Sequence, residues 1–433
     1  MRNKRSMRLV AALGALALVA AACGDGAVDG GEGTAAPEGD LGTVTIGEGE
    51  PIEIAAAQAI SGGVASLGQD QVTAIEVAVQ DRGEILGHSI ELSVEDELCN
   101  AEGGTTAATN IVANPQIIGI IGTSCSGAGV PASQIMSEAG LVMVSGSTTS
   151  PSLTALPYLA DEELEQQENN QPGFFRTAHN DEFQGAAAGQ YAFNSGAATA
   201  VTIHDGDPYT EGLVTQFAQF YEAAGGEVVL ATAVNKGDTD MRPILTEVAA
   251  AAPDIIFFPI FQPEGDFFVQ QIGEFDELAD VTLMGADGLL SDTFVVLPET
   301  QGMFFSGPAQ AEGGAYEEFL GKYEAIAGTP PIQGFHAHAY DAANMLFDAI
   351  EAVAQEDGGS LVVDRQALRD YLYEVEGFAG LTGTLACNEF GDCAQPAIGI
   401  YENVDPAQGL TGLFANIVET IDFADQVDPA KRS

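Results

Sequence analysis

The chain has 433 residues, 46% of them hydrophobic, with 64 acidic against 13 basic side chains and a net charge of −51 at pH 7. That surplus repels phosphate backbones and excludes nucleic acid as a partner, while the apolar fraction is ample for a packed core. The acids are spread along the chain rather than clustered, as a solvated surface suited to salty or acidic surroundings requires.

The first element is an export signal. Arg2, Lys4, Arg5 and Arg8 form a basic start, residues 9–22 carry no charge, and Ala20-Ala21-Ala22-Cys23 closes the run. A basic region, a short apolar region and small residues before a cleavage point mark secretion; the run falls short of the ~20 residues a bilayer span needs. Cys23 stands where a bacterial lipobox places its lipidated cysteine, although a lipobox usually has leucine at the position of Ala20. The other reading is an ordinary secretory signal. Five cysteines are present, Cys23, Cys99, Cys125, Cys387 and Cys393. An odd number in an exported chain needs an explanation, and lipid on Cys23 supplies one. The remaining four then form local pairs, Cys99–Cys125 and Cys387–Cys393, with the other pairings left open by sequence.

Residues 24–50 are rich in Gly, Ala, Asp and Glu, and predict a flexible acidic tether. The body beyond them is longer than the roughly 250–300 residues a single core usually serves, so two domains are expected. Strand-like runs follow at 52–57, 90–94, 117–121, 141–145, 200–204, 254–258, 281–284 and 303–306, several of them continuously apolar, as in parallel sheets buried on both faces. Amphipathic helices alternate with them: Val72, Ile75, Ala78 and Val79 before Gly83; Leu213, Phe217 and Phe220 before Gly225; Ala343, Leu346, Phe347, Ile350 and Val353 before Gly358. This alternation predicts an α/β fold of two doubly wound parallel-sheet lobes, one on each side of about residue 178. Residues 159–173 are acidic and polar and predict an exposed insertion. Residues 387–393 predict a hairpin with a stapled turn.

Catalytic patterns are weak. Gly122-Thr123-Ser124-Cys125-Ser126 begins like a nucleophile elbow without its last glycine, and no phosphate loop or dinucleotide fingerprint is present. His336 and His338 precede a helix and diverge, without the further ligands that zinc needs. Asp205 and Asp207 are weak evidence for calcium in so acidic a chain. No cofactor, no metal and no enzymatic reaction are expected.

Open parallel sheets bind ligands beyond the carboxyl ends of their strands, which singles out four loops. Ser124-Cys125-Ser126-Gly127 opens a helix whose amides and hydroxyls suit a carboxylate. Residues 145–149 offer more hydroxyls, residues 205–209 follow the strand at 200–204, and Asp287 is placed to meet a cation. Taken singly, such residues often only cap helices; together they make a recognition set for an ammonium and a carboxylate.

With those residues, the chain resembles the leucine/isoleucine/valine-binding proteins, whose type I periplasmic-binding-protein fold serves ABC importers. The landmarks run in order over roughly residues 52–401: Ala59-Ile60-Ser61-Gly62 with Gly68; Cys99 and Cys125; Ser150-Pro151-Ser152-Leu153-Thr154; Ile203-His204-Asp205; Tyr209-Thr210-Glu211-Gly212; and Met284-Gly285 before Asp287. The resemblance implies that Ser126 and Thr149 bind an α-carboxylate. It implies that the Ser147 carbonyl and the Asp287 side chain hold the α-ammonium, and that Tyr209 approaches from the second lobe. Leu67, Phe261 and Phe335 would line the side-chain pocket. Asp287 stands for a glutamate in those proteins, Phe261 for a tyrosine and Leu67 for an aromatic residue. The resemblance further implies three crossovers near Ala178, Gly307 and Leu381. Lobe 1 would then be 51–178 plus 307–381, lobe 2 would be 179–306 plus 382–425, and 426–433 a tail. The expected protein binds an amino acid, branched-chain or otherwise apolar, on the outer face of a membrane to which it is lipid-anchored, and passes it to an ABC permease. The alternatives are an amide, a urea or a small carboxylic acid in the same cleft, or a sensory module.

Overall fold

The computed structural model describes residues 41–424; Cys23, the export signal and the expected tail lie outside the described residues. The first described element, β1 (Thr43–Ile46), buries Val44 and Ile46 and exposes Thr43 and Thr45. This corrects the expectation of a tether reaching residue 50. The alternation at 43–46 has a partner strand, supplied from near the other end of the chain.

Then come β2 (Ile52–Gln58), α1 (Ala65–Arg82), β3 (Glu84–Ile85), β4 (His88–Asp96), α2 (Ala101–Val112), β5 (Gly119–Gly122), α3 (Ser126–Glu138), β6 (Val142–Ser145) and β7 (Phe174–Arg176). They build a sheet in the order β3-β4-β2-β5-β6-β7, parallel from β4 to β7. Every residue of β5 and β6 is buried, because helices cover both faces and leave no solvent side. The acidic segment 159–173 leaves this sheet as an excursion, where Glu165–Gln166 pairs with Ala155–Leu156.

The chain next forms α4 (Asp181–Asn194), β8 (Thr199–His204), α5 (Pro208–Ala224), β9 (Glu227–Ala233), α6 (Arg242–Ala251), β10 (Ile255–Phe257), α7 (Glu264–Ile272), β11 (Thr282–Gly285) and β12 (Phe304–Pro308). The bounds of α5 are local chemistry. Asp207 caps it by accepting from the Tyr209 amide, Pro208 opens it, and Gly225 ends it with φ of 113°. The chain then returns to the first sheet with α8 (Gly314–Ala327), α9 (His336–Val353), β13 (Gln355–Asp357), β14 (Ser360–Asp364) and α10 (Arg365–Tyr373). There β14 takes β1 on one side and β13 on the other. Gly358, expected to end the helix of 343–353, sits instead at the turn between β13 and β14 with φ of 62°. Finally β15 (Ala397–Glu402) and β16 (Ile417–Asp422) add antiparallel to the second sheet, whose order is β9-β8-β10-β11-β12-β15-β16.

The fold is thus two doubly wound lobes, and the chain passes between their sheets three times: between Arg176 and Asp181, between Pro308 and Gly314, and between Cys393 and Ala397. Gly307, expected at a crossing, lies inside β12. Leu381, the other expected crossing, still belongs to the first lobe. Asp341 on α9 accepts from the Leu381 and Thr382 amides at 2.8 and 2.9 Å, and Cys387 and Cys393 join the core beneath the first sheet. The physical reason is an anchor invisible in the hydrophobic pattern: the disulfide-closed loop packs on β7, with Arg176 paired to Asp392. That loop is a turn closed by backbone bonds from Ala386 to Cys393 and from Asn388 to Asp392, without the strands of a hairpin.

Candidate functional site

On the first lobe the site is built by the loops that leave β2, β5 and β6. Ser124 donates to Gln58 Oε1 at 2.5 Å and accepts from the Ala59 amide at 3.1 Å. Ser147 donates to the Ser124 carbonyl and accepts from Gln71 Nε2, both at 2.8 Å. Ser126 Oγ accepts from the Ser150 amide at 3.2 Å. Behind them the fully buried Arg176 donates to the carbonyls of Thr148 and Ser150 at 3.1 and 2.8 Å. The disulfide Cys99–Cys125 ties the start of α3 to the loop after β4. Cys125 is the N-cap of α3 and makes no side-chain capping bond, so the helix start presents its amides without an internal capping oxygen. That is a favourable place for an anion.

The second lobe contributes acids. The Tyr209 hydroxyl donates to Asp287 Oδ1 at 3.1 Å and accepts from the Gly288 amide at 3.2 Å. Gln184 on α4 donates to the same Asp287 oxygen at 2.5 Å and to the Ser306 carbonyl at 3.1 Å. Because its amide nitrogen is so engaged, Gln184 Oε1 must accept from His179 Nε2, 2.6 Å away. Burial lowers His179 to about 4, so the ring is neutral at pH 7. Burial also raises the Asp287 carboxyl to about 6, against the pull of its bonds from Gln184 and Tyr209. The Tyr209 hydroxyl is held well above 10 by burial and by Asp287 and Asp181, and it keeps its proton.

These two sets face each other across one cavity, lined by Leu67, Ser124, Cys125, Ser126, Ser147, Tyr209, Phe261, Asp287 and Phe335. It offers about 10 Å³ to the centre of a water molecule, about what a single water needs. The lobes are therefore closed on each other. A Cβ placed on Gly127 at the start of α3 would overlap the Asp207 carboxylate of the opposite lobe, and one on Gly63 would meet the Gln262 carbonyl. Ser150 donates across the same gap to the Pro208 carbonyl at 3.1 Å.

Of the residues expected at the site, Leu67, Ser126, Ser147, Tyr209, Phe261, Asp287 and Phe335 line this cavity, and Thr149 does not. Thr149 lies buried behind it, its carbonyl accepting from the Asp181 amide at 3.0 Å. The aspartates of the 205–209 loop are absorbed by helix α5. Asp205 accepts from Thr210 Oγ1 at 2.7 Å, and Asp207 pairs with Lys236 at 2.8 Å as well as capping the helix. His336, on α9 rather than before it, bonds Tyr316 at 2.7 Å and lies 3.3 Å from Asp70, a buried brace next to Phe335. Sequence reasoning missed Gln184, which reaches Asp287 from the opening turn of α4, where acids and amides read as ordinary helix-start residues and nothing local distinguishes it.

The comparisons with known proteins agree with the fold. A sequence model of the family described as periplasmic binding protein matches residues 51–395. Over 359 residues the chain is 25% identical to the leucine-, isoleucine-, valine-, threonine-, and alanine-binding protein of Pseudomonas aeruginosa, spanning 82% of this chain and 90% of that one. A leucine binding protein from Thermotoga maritima superposes with a TM-score of 0.74 at 22% identity, covering 86% of this chain and 99% of the other. A solute binding protein from R. palustris in complex with benzoate gives 0.70 at 21% identity, covering 88% and 99%. At these identities the two structures speak for the fold alone.

Proposed function

The chain belongs to the periplasmic binding protein family, and from that premise we propose that it is an exported solute-binding protein that captures an amino acid with an apolar side chain for an ABC permease, rather than an enzyme. The observation that carries this reading is the joint lining of one closed cavity by Ser126, at an uncapped helix start, and Asp287, from the opposite lobe. A zwitterion matches that polarity: its carboxylate faces Ser126 and the amides of α3, with Thr149 behind, and its ammonium faces Asp287 and the Ser147 carbonyl. Leu67, Phe261 and Phe335 supply the apolar wall for the side chain. The relative from Pseudomonas aeruginosa is named for binding apolar amino acids and threonine, which supports this class.

Binding proceeds by hinge closure about the three crossings. The ligand docks first on the first lobe, and closure then adds Tyr209 and Asp287 and excludes water. Only contacts made in the closed form shift the equilibrium toward it. Lipid on Cys23 would hold the body at the outer face of the cytoplasmic membrane. The benzoate complex of a relative supports a carboxylate without an ammonium as the rival ligand. Such a ligand would leave Asp287 buried without a cation, which is costly.

A thermal-shift and calorimetric screen in high salt tests the reading. L-leucine, L-isoleucine, L-valine and L-phenylalanine are compared with benzoate and acetamide. A bound ligand raises the unfolding temperature by mass action. A response to at least one of the amino acids is expected; a response to benzoate or acetamide alone overturns the reading.

A further inference from the structure

Beside the cavity the two lobes meet along a groove, lined from α3 by Gly127, Val130 and Pro131 and from the second lobe by Asp205, Asp207 and Lys236. Lys236, in the loop after β9, is the one cation of that lining. Its ammonium pairs with Asp207 Oδ2 at 2.8 Å and lies 5.6 Å from the centre of the Phe261 ring, a wall of the cavity. The next residue, Gly237, donates its amide to the Glu264 carboxylate, which ties the loop to the start of α7. Lys236 thus touches both the contact between the lobes and the back of the pocket wall.

The groove holds more acid than one lysine can answer. Asp207 is 3% exposed and stands against Gly127 of the opposite lobe. Asp205 is buried beside it, with Oδ2 lacking a hydrogen-bond partner. On the first lobe Glu97, fully buried next to the amides of Cys125 and Cys99, comes within electrostatic range of Asp207. Among the described residues, Lys236 alone ion-pairs with any of the three. Burial and then Asp207 push the Glu97 carboxyl well above its usual range. Burial also raises the Asp207 carboxyl, and Lys236 pulls it back. Like charges on facing lobes oppose closure, and a carboxylate left unpaired in the contact costs far more than one in water.

We propose that Lys236 is a positioning residue of lobe closure: its ammonium is the counter-charge that allows Asp207 to be buried against the start of α3. Asp207 is held by its capping bond from the Tyr209 amide at 3.0 Å, so it is not free to swing out to water when the lobes meet. Its charge has to be answered in place. The same ammonium sits over the Phe261 ring, where a cation is attracted to the aromatic face, so the contact that seals the lobes also steadies the pocket wall. The inference rests on hinge closure and not on the amino-acid reading: it holds for any ligand on which this cleft closes.

The test takes whichever compound of the thermal-shift screen binds wild type most tightly. Its affinity is measured by calorimetry on Lys236→Met, Lys236→Arg, Asp207→Asn and the double variant Lys236→Met/Asp207→Asn. Lys236→Met keeps the apolar stem and leaves Asp207 unpaired. It should bind about tenfold more weakly, between the small effect of an exposed pair and the large effect of an unpaired buried charge. Asp207→Asn keeps the helix cap and removes the charge that needs an answer, so it should bind within about twofold of wild type. The double variant should recover to within about twofold of Asp207→Asn, because no charge is then left for the lysine to neutralise. Lys236→Arg, which keeps the charge, should stay within about threefold of wild type. A lysine that only braced its loop would leave the double variant as weak as Lys236→Met, and that result overturns the proposal. So does undiminished binding by Lys236→Met, or a loss in Lys236→Arg as large as in Lys236→Met. If Lys236→Met does not fold, the double variant decides: binding at the level of Asp207→Asn supports the role and loss overturns it. A wild type that answers only to benzoate or acetamide overturns the amino-acid reading and leaves this test in force; one that answers to none of the compounds sinks both.

Discussion

The two walls of the cavity are built on opposite principles. The first-lobe wall is neutral, and its polar groups are already engaged: Ser124, Ser126 and Ser147 each have a partner in the same lobe, and Arg176 braces the loop behind them. The second-lobe wall is anionic, with the Asp287 carboxyl raised by burial. A satisfied network is rigid and changes little when a ligand arrives. A buried charge waiting for a counter-charge changes a great deal. On the proposed reading, the first lobe therefore sets where a ligand sits, and the second sets how tightly it is held and which head group is accepted.

Experiments that remove the asymmetry should separate the two walls. The largest effect is expected from Asp287→Ala, which removes a charge-assisted contact of about 1.5–3 kcal/mol and should weaken an amino acid by about ten- to a hundredfold in calorimetry. Unaltered affinity would show that the second wall does not grip the ligand.

Lowering the pH attacks the same wall without mutation. With the Asp287 carboxyl at about 6 in the free protein, it is ionised at pH 7 and mostly protonated at pH 5. Since an ammonium requires the ionised acid, affinity should fall about tenfold from pH 7 to pH 5 and level off above pH 7. The stability of the free protein should move the other way. A carboxyl raised above its unfolded value of 3.8 favours the protonated native state, so this group's contribution declines as pH rises from about 4 to 6 and stays low above. A flat affinity profile would separate binding from Asp287 ionisation.

Gly127→Ala acts on closure instead. Its Cβ would press on Asp207, whose carboxylate is held by Tyr209 and Lys236, at a cost of about 1 kcal/mol in the closed form only. Affinity should drop about fivefold with little change in the melting temperature of the free protein. The smallest effect belongs to Ser126→Ala on the first wall, about threefold, because a neutral hydrogen bond contributes about 0.5–1 kcal/mol and the α3 amides remain. A loss from Ser126→Ala as large as that from Asp287→Ala would reverse the assignment of the two walls.

Much of this arrangement was legible in the chain. Alternating apolar runs placed the central parallel strands of both sheets within a residue or two, since strands buried on both faces must be continuously apolar, as β5 and β6 are, while the antiparallel strands β15 and β16 gave no such signal. Asp287, Tyr209 and Ser126 could be named because each stands just after a strand. The early strand β1 was hidden inside a tether-like composition because its partner β14 lies so far along the sequence. Which of Ser147 and Thr149 borders the cavity was not legible, because neighbouring loop residues cannot be told apart by sequence; the turn of the backbone puts Ser147 forward and Thr149 behind.

The sequence by itself determined the two-lobe α/β class, the alternation of strands and helices, and which loops would carry polar groups, because these follow from local periodicity and strand ends. Only the tertiary structure decided that the disulfide loop stays with the first lobe, that Gln184 bridges to Asp287, and that Asp287 is buried. Those facts depend on which surfaces meet when distant segments pack, and burial of a charge is a property of its surroundings rather than of the residue that carries it.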